Sequence, residues 1–357
     1  MAWVHAETSA GRVALEPEIG NIRVLKFRVG DRTLAPLHTA PWADDPALVN
    51  DPETDPLEAR LAGDFLCAPF GAADLDGGPP HGWTANSRWR LIDERAGGMT
   101  FELDRDVMGA RVTKTLALAP DAPILYQTHL IEGGVGRLTI AHHPMIRLGS
   151  RGRFSTSPKR AALTPEVPLV PGRHRLALGQ RATDLTRIPA EEGGTVDLRD
   201  LPIADRHEDF IALVEAPGAS MGWSAIVREA EADIFFVLKD PDVLPLTMLW
   251  HSNGGRDFPP WNGRHRGVVG IEDGCTAGAA GHRAALVPNP ISDEGVPSAL
   301  TLGGTIRIAQ VTGALPRPEG WTEIADITTS DGRLTLWDVS GAEQSMPYDT
   351  GFLRRAH

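Results

Sequence analysis

Three stretches of the sequence set groups able to move protons beside glycine, proline and tryptophan. The first is Gly63-Asp64-Phe65-Leu66-Cys67-Ala68-Pro69-Phe70-Gly71, followed by Pro79-Pro80-His81-Gly82-Trp83-Thr84-Ala85-Asn86-Ser87-Arg88-Trp89. His81 stands between a residue that restricts the backbone and one that frees it, which suits a fixed side chain at the start of a strand. The second is Leu138-Thr139-Ile140-Ala141-His142-His143-Pro144-Met145-Ile146-Arg147-Leu148. Alternate side chains of a strand face opposite ways, so His142 keeps company with Leu138 and Ile140, and His143 with Thr139 and Ala141. That company assigns His142 to the core and His143 to a face with room for a ligand, and it argues against a joint metal site for the doublet. The third runs from Leu249-Trp250-His251 through Arg256-Asp257 and Trp261-Asn262-Gly263 to Gly270-Ile271-Glu272-Asp273. Glu272 is read as ending a buried apolar strand, where a carboxylate must be paired, hydrogen-bonded or raised in pKa; it is a candidate general base. A plain ion pair with Arg256 or Arg266 is the competing reading. Trp250 and Trp261 offer flat faces for a ring-shaped ligand, or else core packing.

The elements that must hold these groups read as strands. Glycine and proline, 38 and 29 residues, punctuate short apolar runs along the whole chain, the pattern of an all-β protein. The runs are Ile22–Val29, Met99–Leu103, Arg111–Leu118, Ile124–Leu130, Arg137–Ala141, Phe210–Val214, Trp223–Val227, Ile234–Leu238, Leu246–Trp250 and Gly267–Ile271. Val112-Thr113-Lys114-Thr115-Leu116 alternates strictly and marks a half-buried strand. One helix is predicted, over Glu53–Ala62, from Leu57 and Leu61 one turn apart behind Asp51-Pro52. Ser155–Asp205 is weakly periodic and rich in Pro, Arg and Thr; it is read as an excursion from one sheet system that carries short strands of its own, in preference to a linker. With no other break in the pattern, residues 1–357 are expected to form one domain.

Composition narrows the partners. Lys and Arg number 35 against 47 Asp and Glu, a formal charge of -12, which repels phosphate backbones and anionic lipid alike. Nucleic acid and membranes are therefore not expected partners, whereas a neutral small molecule is compatible. The first residues lack a basic flank and apolar run, and no stretch is apolar over a bilayer's width. A cytoplasmic protein, monomeric or homodimeric, is the expectation. Cys67 and Cys275 are too few for a disulfide framework and are read as buried thiols.

Taken in order, the three clusters resemble the aldose 1-epimerase (galactose mutarotase-like) family. The resemblance is carried by His81-Gly82 with Trp89 after it, by His143 opening a mid-chain strand, by Glu272 within Gly270-Ile271-Glu272-Asp273, and by an opening hairpin at Pro17-Glu18-Ile19-Gly20-Asn21-Ile22-Arg23-Val24-Leu25. It implies a β-supersandwich of large antiparallel sheets with a concave sugar-binding face, and mutarotation of a free aldose with neither metal nor cofactor. It further implies that Glu272 takes the proton of the anomeric hydroxyl, that His143 protonates the ring oxygen, and that His81 places the sugar. Asn86, Trp250, Asp257 and Trp261 are the expected substrate contacts. Family members often carry an arginine soon after the His-Gly pair; Ala85 stands there instead, and Arg88, Arg147, Arg256 or Asp257, near in sequence, are the candidates to replace the grip.

Other activities fit the same residues. A sugar-phosphate mutarotase would need an arginine cluster for the phosphate, with Arg147, Arg151 and Arg153 as candidates. A non-catalytic carbohydrate-binding protein could use the same scaffold. A cupin-like metal site could be assembled from His81, His143 and Glu272.

Overall fold

The computed structural model describes residues 3–75 and 77–355. Two antiparallel sheets dominate it. The eight-stranded sheet runs, in spatial order, Arg181–Ala182, Lys159–Leu163, His207–Glu215, Leu246–Asn253, Val268–Cys275, Ile140–His142 and Leu66–Cys67, with Met145–Arg147 also paired to Val268–Cys275. The nine-stranded sheet runs Asp200–Leu201, Gly152–Thr156, Gly222–Arg228, Asp233–Lys239, Thr305–Pro316, Ile124–Gly133, Ala110–Leu118, Gly98–Leu103 and Trp89–Arg95.

Side-chain alternation assigns the faces. Ile211, Leu213, Leu249, Val269 and Ile271 of the eight-stranded sheet share one apolar cluster with Phe154, Ile226, Phe235 and Val237 of the nine-stranded sheet, so these faces meet. Phe210, Ala212, Val214, Met248 and Trp250 point the other way, toward Trp42, Phe65, Phe70 and Trp261. That second face is where a site can open. Strands Val4–Thr8, Gly11–Glu16, Asn21–Val29 and Arg32–Leu34 form a separate sheet whose Val13, Leu15 and Phe27 share a core with Met99, Phe101 and Val112. Strands Ile324–Ser330, Arg333–Asp338 and Glu343–Pro347 set Ile327, Leu334 and Leu336 against Trp223, Phe236 and Val311, closing the outer face of the nine-stranded sheet. Among the described residues no helix is long and apolar enough to cross a membrane.

The sequence-predicted strands are present, and most reach further than their apolar runs. Arg137–Ala141 is the exception: it divides into Arg137–Leu138, paired with Leu300–Thr301, and Ile140–His142 of the eight-stranded sheet. The opening hairpin forms as expected, with Glu18, Ile19 and Gly20 in the turn between Gly11–Glu16 and Asn21–Val29. Ser155–Asp205 carries the short strands Lys159–Leu163, Arg181–Ala182, Ile188–Pro189, Thr195–Val196 and Asp200–Leu201. The predicted helix over Glu53–Ala62 shrinks to Pro56–Ala59. Pro56 has no N–H to donate back into an earlier turn, so it can only open a helix. Cys67 and Cys275 are free and buried.

Many polar groups lie between the sheets. Lys239 Nζ stands 3.0 Å from Glu215 Oε1 and 3.1 Å from Asp273 Oδ1, and Thr247 Oγ1 donates to Asp273 at 2.7 Å. Burial pushes His38 and His81 down to about 4, and His142 and His251 down to about 3. In the unfolded chain these groups return to about 6.5. A depressed folded value means that the unfolded state binds more protons below that pH, so the stability present above pH ~6.5 is lost as the pH falls toward the folded values. Asp64 acts in the opposite sense, because burial raises it to about 6, and buried Glu272 is raised too. The depressed histidines are more numerous. The melting temperature is therefore expected to drop by several degrees between pH 7 and pH 5 in scanning calorimetry; a flat or rising trend would contradict this balance.

Candidate active site

His143 and Glu272 meet because two short strands share one register with a long one. Ile140 lies opposite Cys275 and Ala141 opposite Gly274; after the break at His143-Pro144, Met145 lies opposite Gly270 and Ile146 opposite Val269. Carried through the break, that register sets His143 against Glu272. The His143 Nε2 to Glu272 Oε1 distance is 3.1 Å. Pro144 can donate nothing to the ladder, but its carbonyl accepts the Ile271 N–H at 3.0 Å. The His143 N–H is given to the Phe65 carbonyl at 2.9 Å, with Asp64 Oδ1 3.2 Å away. Glu272 lies within the Val268–Cys275 strand, not at its end as the sequence suggested, because backbone pairing continues through Gly274 and Cys275 where the apolar run stops. A Cβ on Gly270 would stand 2.8 Å from Glu272 Oε1 and 3.3 Å from Trp250 Cβ. Only glycine leaves the carboxylate room to turn back over the strand.

His81 reaches the pair from a turn, not from a strand start. Its φ of 63° lies in the left-handed region, which few residues other than glycine adopt. Two backbone bonds hold it there: its N–H donates to the Gly71 carbonyl at 2.7 Å, and its carbonyl accepts the Ala68 N–H at 3.2 Å. Gly82 follows at φ 72°, with the Ala68 carbonyl oxygen 2.0 Å from where a Cβ would be. Leu66–Cys67 pairs with Ile140–His142, so this turn is moored beside His143. The two imidazole centroids lie 5.4 Å apart, edge to face.

Aromatic rings close round the pair. Phe65 stacks on His143 at 4.5 Å, and Trp250 meets it edge-on at 5.5 Å. Trp250 is backed by His265, stacked at 5.3 Å, and Trp261 donates from Nε1 to Glu58 at 2.8 Å. The guanidinium of Arg256 lies over Trp261 at 4.2 Å and over Trp250 at 5.5 Å. All of these but His265, with Leu57, Phe70 and Phe210, line a cavity of about 300 Å³. Such a volume is small for a ligand site and suits a molecule the size of one sugar ring.

Burial, and little else, raises Glu272 well above the usual carboxylate range, and burial holds His143 well below the usual imidazole range. Both shifts favour the uncharged forms. Burial thus favours a carboxylic acid beside a neutral imidazole over the ion pair that the same two groups would form in water. His81, down at about 4, is neutral at pH 7. Neither Arg256 nor Arg266 forms the ion pair with Glu272 that the sequence left open; the Arg256 side chain is paired with Glu208.

Of the expected substrate contacts, Trp250 and Trp261 face the cavity and Asn86 and Asp257 do not. Asn86 is internal scaffolding: its Oδ1 accepts the Leu57 N–H at 2.9 Å, and its Nδ2 donates to the carbonyls of Pro80 and Gly82 at 2.8 Å each. It pins the His81 turn to the Pro56–Ala59 helix. Asp257 is paired with Arg173 on the surface. Its neighbour Arg256 faces inward in its place. Arg147 points toward Glu231, and Arg151 and Arg153 border a different cleft, where Arg153 is held by Asp197, Asp200 and Glu323. None of these phosphate candidates reaches the cavity. Among the described residues no group of three His, Cys, Asp or Glu side chains is placed to hold a metal ion. Sequence reasoning missed Phe65, Phe70, Phe210, Asp55 and Glu58 on the lining, and Glu208 behind it. Phe65 and Phe70 stood within the first cluster and Phe210 opened a predicted strand, and Glu208 left a trace as an acid just before the apolar run Phe210–Val214.

No family model matches this sequence, and no curated protein does either. Solved structures do match. A presumed aldose 1-epimerase from Escherichia coli K12 superposes with a TM-score of 0.59 at 16% identity, over 88% of this chain and 99% of the other. A galactose mutarotase related enzyme from Lactobacillus acidophilus gives 0.58 at 12%, over 89% and 99%. A galactose mutarotase-like protein from Lactobacillus casei gives 0.55 at 11%, over 88% and 100%. With nearly the whole of those chains superposed, this protein has the galactose mutarotase-like β-supersandwich fold.

Proposed function

We propose that this protein is an aldose 1-epimerase, an isomerase that interconverts the α and β anomers of a free aldose. The observation that carries the reading is the 3.1 Å contact between His143 Nε2 and Glu272 Oε1 inside a ring-sized cavity. Opening a pyranose requires a proton to leave the anomeric hydroxyl and another to reach the ring oxygen. Both oxygens are bonded to the anomeric carbon. One base and one acid in contact can therefore serve both, and each contributes typically about 10²–10⁴-fold.

The residue roles follow from that demand. Glu272 as carboxylate takes the anomeric proton while protonated His143 supplies the ring oxygen; the sugar opens to its aldehyde, and the pair is left as acid and neutral imidazole. That uncharged state is the one burial favours. Rotation about the bond to the anomeric carbon and return of both protons then give the other anomer. Run from the uncharged pair, the same steps exchange the two roles, so either direction uses one shared proton. Neutral His81 can donate one hydrogen bond and accept another, which fits it to place the sugar near the ring oxygen. Trp250 and Trp261 wall the cavity, and Arg256, lying over both, is the lining residue that can supply the grip missing after His81-Gly82.

Polarimetry on freshly dissolved sugar tests this directly. Glu272→Gln keeps the size of the side chain but cannot act as a base, and His143→Ala removes its partner; each is expected to lower kcat by about 10²–10⁴-fold with the circular dichroism spectrum retained. Wild-type rates near those of the variants over a broad panel of aldoses would refute the assignment. Rates are expected to be unchanged by a chelator, and inorganic phosphate is not expected to compete, because Arg151 and Arg153 lie outside the cavity. Loss of activity on chelation would revive the metal reading, and competition by phosphate would favour a sugar phosphate as substrate.

A further inference from the structure

Glu208 is a buried carboxylate beside the site to which ring opening gives no task. It lies in the His207–Glu215 strand, has no side-chain exposure and does not line the cavity. Its Oε1 accepts the Trp250 Nε1 hydrogen at 2.7 Å and stands 2.9 Å from Arg256 Nε, while its Oε2 accepts from Ser252 Oγ at 3.0 Å. Arg256 in turn reaches the cavity with its guanidinium over Trp261. One carboxylate thus sets the position of two walls of the site.

The charges on those walls have a consequence for substrate choice. Among the described residues Arg256 is the one Lys or Arg on the cavity lining, which also carries Asp55, Glu58 and Glu272. A guanidinium already balanced by a buried carboxylate gains little by taking a second anion, yet its remaining N–H groups still suit neutral hydroxyls. The acids at the rim repel an anionic sugar as it approaches. Resting on the mutarotase reading above, we propose that Glu208 is a positioning and specificity residue: by holding and neutralising Arg256 it makes the site select a neutral aldose over one bearing a carboxylate or phosphate.

The test compares D-glucose with D-glucuronate, which differ in a single charged group and share a reducing end that polarimetry can follow. The wild-type protein is expected to turn over glucose with the higher kcat/KM. Glu208→Gln retains an oxygen for the Trp250 N–H but leaves Arg256 unbalanced. In this variant the ratio of kcat/KM for glucuronate to that for glucose is expected to rise on the order of tenfold, about 1.4 kcal/mol, through KM more than kcat. Adding Arg256→Gln should cancel the rise. A merely structural role for Glu208 would depress both sugars alike and leave the ratio unchanged, which would overturn the proposal. Should Glu208→Gln fail to fold, the wild-type comparison still decides: glucuronate or glucose 6-phosphate turned over as well as glucose overturns it. No acceleration of any sugar overturns the mutarotase reading and this inference with it.

Discussion

The site depends on one pairing register. The Ile140–His142 and Met145–Arg147 strands lie along Val268–Cys275 as though they were one strand, interrupted at His143-Pro144. A slip of one residue would turn Glu272 toward the core between the sheets and send Asp273 into the cavity. That slip is opposed from both faces. Val269 and Ile271 are packed between the sheets, and Asp273 is engaged there by Lys239 and Thr247. The buried ion network between the sheets therefore acts on the site from behind, by making the wrong face of Val268–Cys275 costly to expose.

The surroundings of His143 and Glu272 turn that contact into a chemical device. Phe65, Trp250 and the strand backbone exclude water from both groups, and each loses the hydration its charged form would need. In open solvent a carboxyl and an imidazole settle as an ion pair. Here burial pulls the other way, so the charged and uncharged arrangements of the pair are brought closer in energy. A reaction that must pass a proton out and back is served by that near-balance.

Scaffolding round the site is built from short polar contacts, each local in space and remote in sequence. Asn86 ties the His81 turn to the Pro56–Ala59 helix, Glu208 ties Trp250 to Arg256, and Glu58 ties Trp261 to the rim. Each is buried or half-buried and meets groups from separate elements, which adds rigidity round the site. His81 shows what this rigidity permits: a non-glycine residue kept at positive φ by bonds from two sides.

Residue type and local period determined the all-β class, the position of many of the long strands though not of Thr305–Pro316, the separation of His142 from His143, and the three groups that meet in the cavity. Those properties are written in near neighbours: alternation decides a face, and proline or glycine decides a break. Three-dimensional packing decided the rest. Asn86 and Asp257 are as polar as any ligand contact, and only the positions of Leu57 and Arg173 reveal that both are already occupied. Arg256 and Asp257 are adjacent in the chain, yet Arg256 meets Trp250, Trp261 and Glu208 inside while Asp257 meets Arg173 on the surface. Glu272 seemed to end its strand because the apolar run ends there, while the backbone pairing that extends the strand depends on Leu246–Asn253 and Ile140–His142. Sequence reports the chemistry a side chain can offer; which partner takes it first depends on contacts between residues far apart in the chain, and no local pattern encodes those.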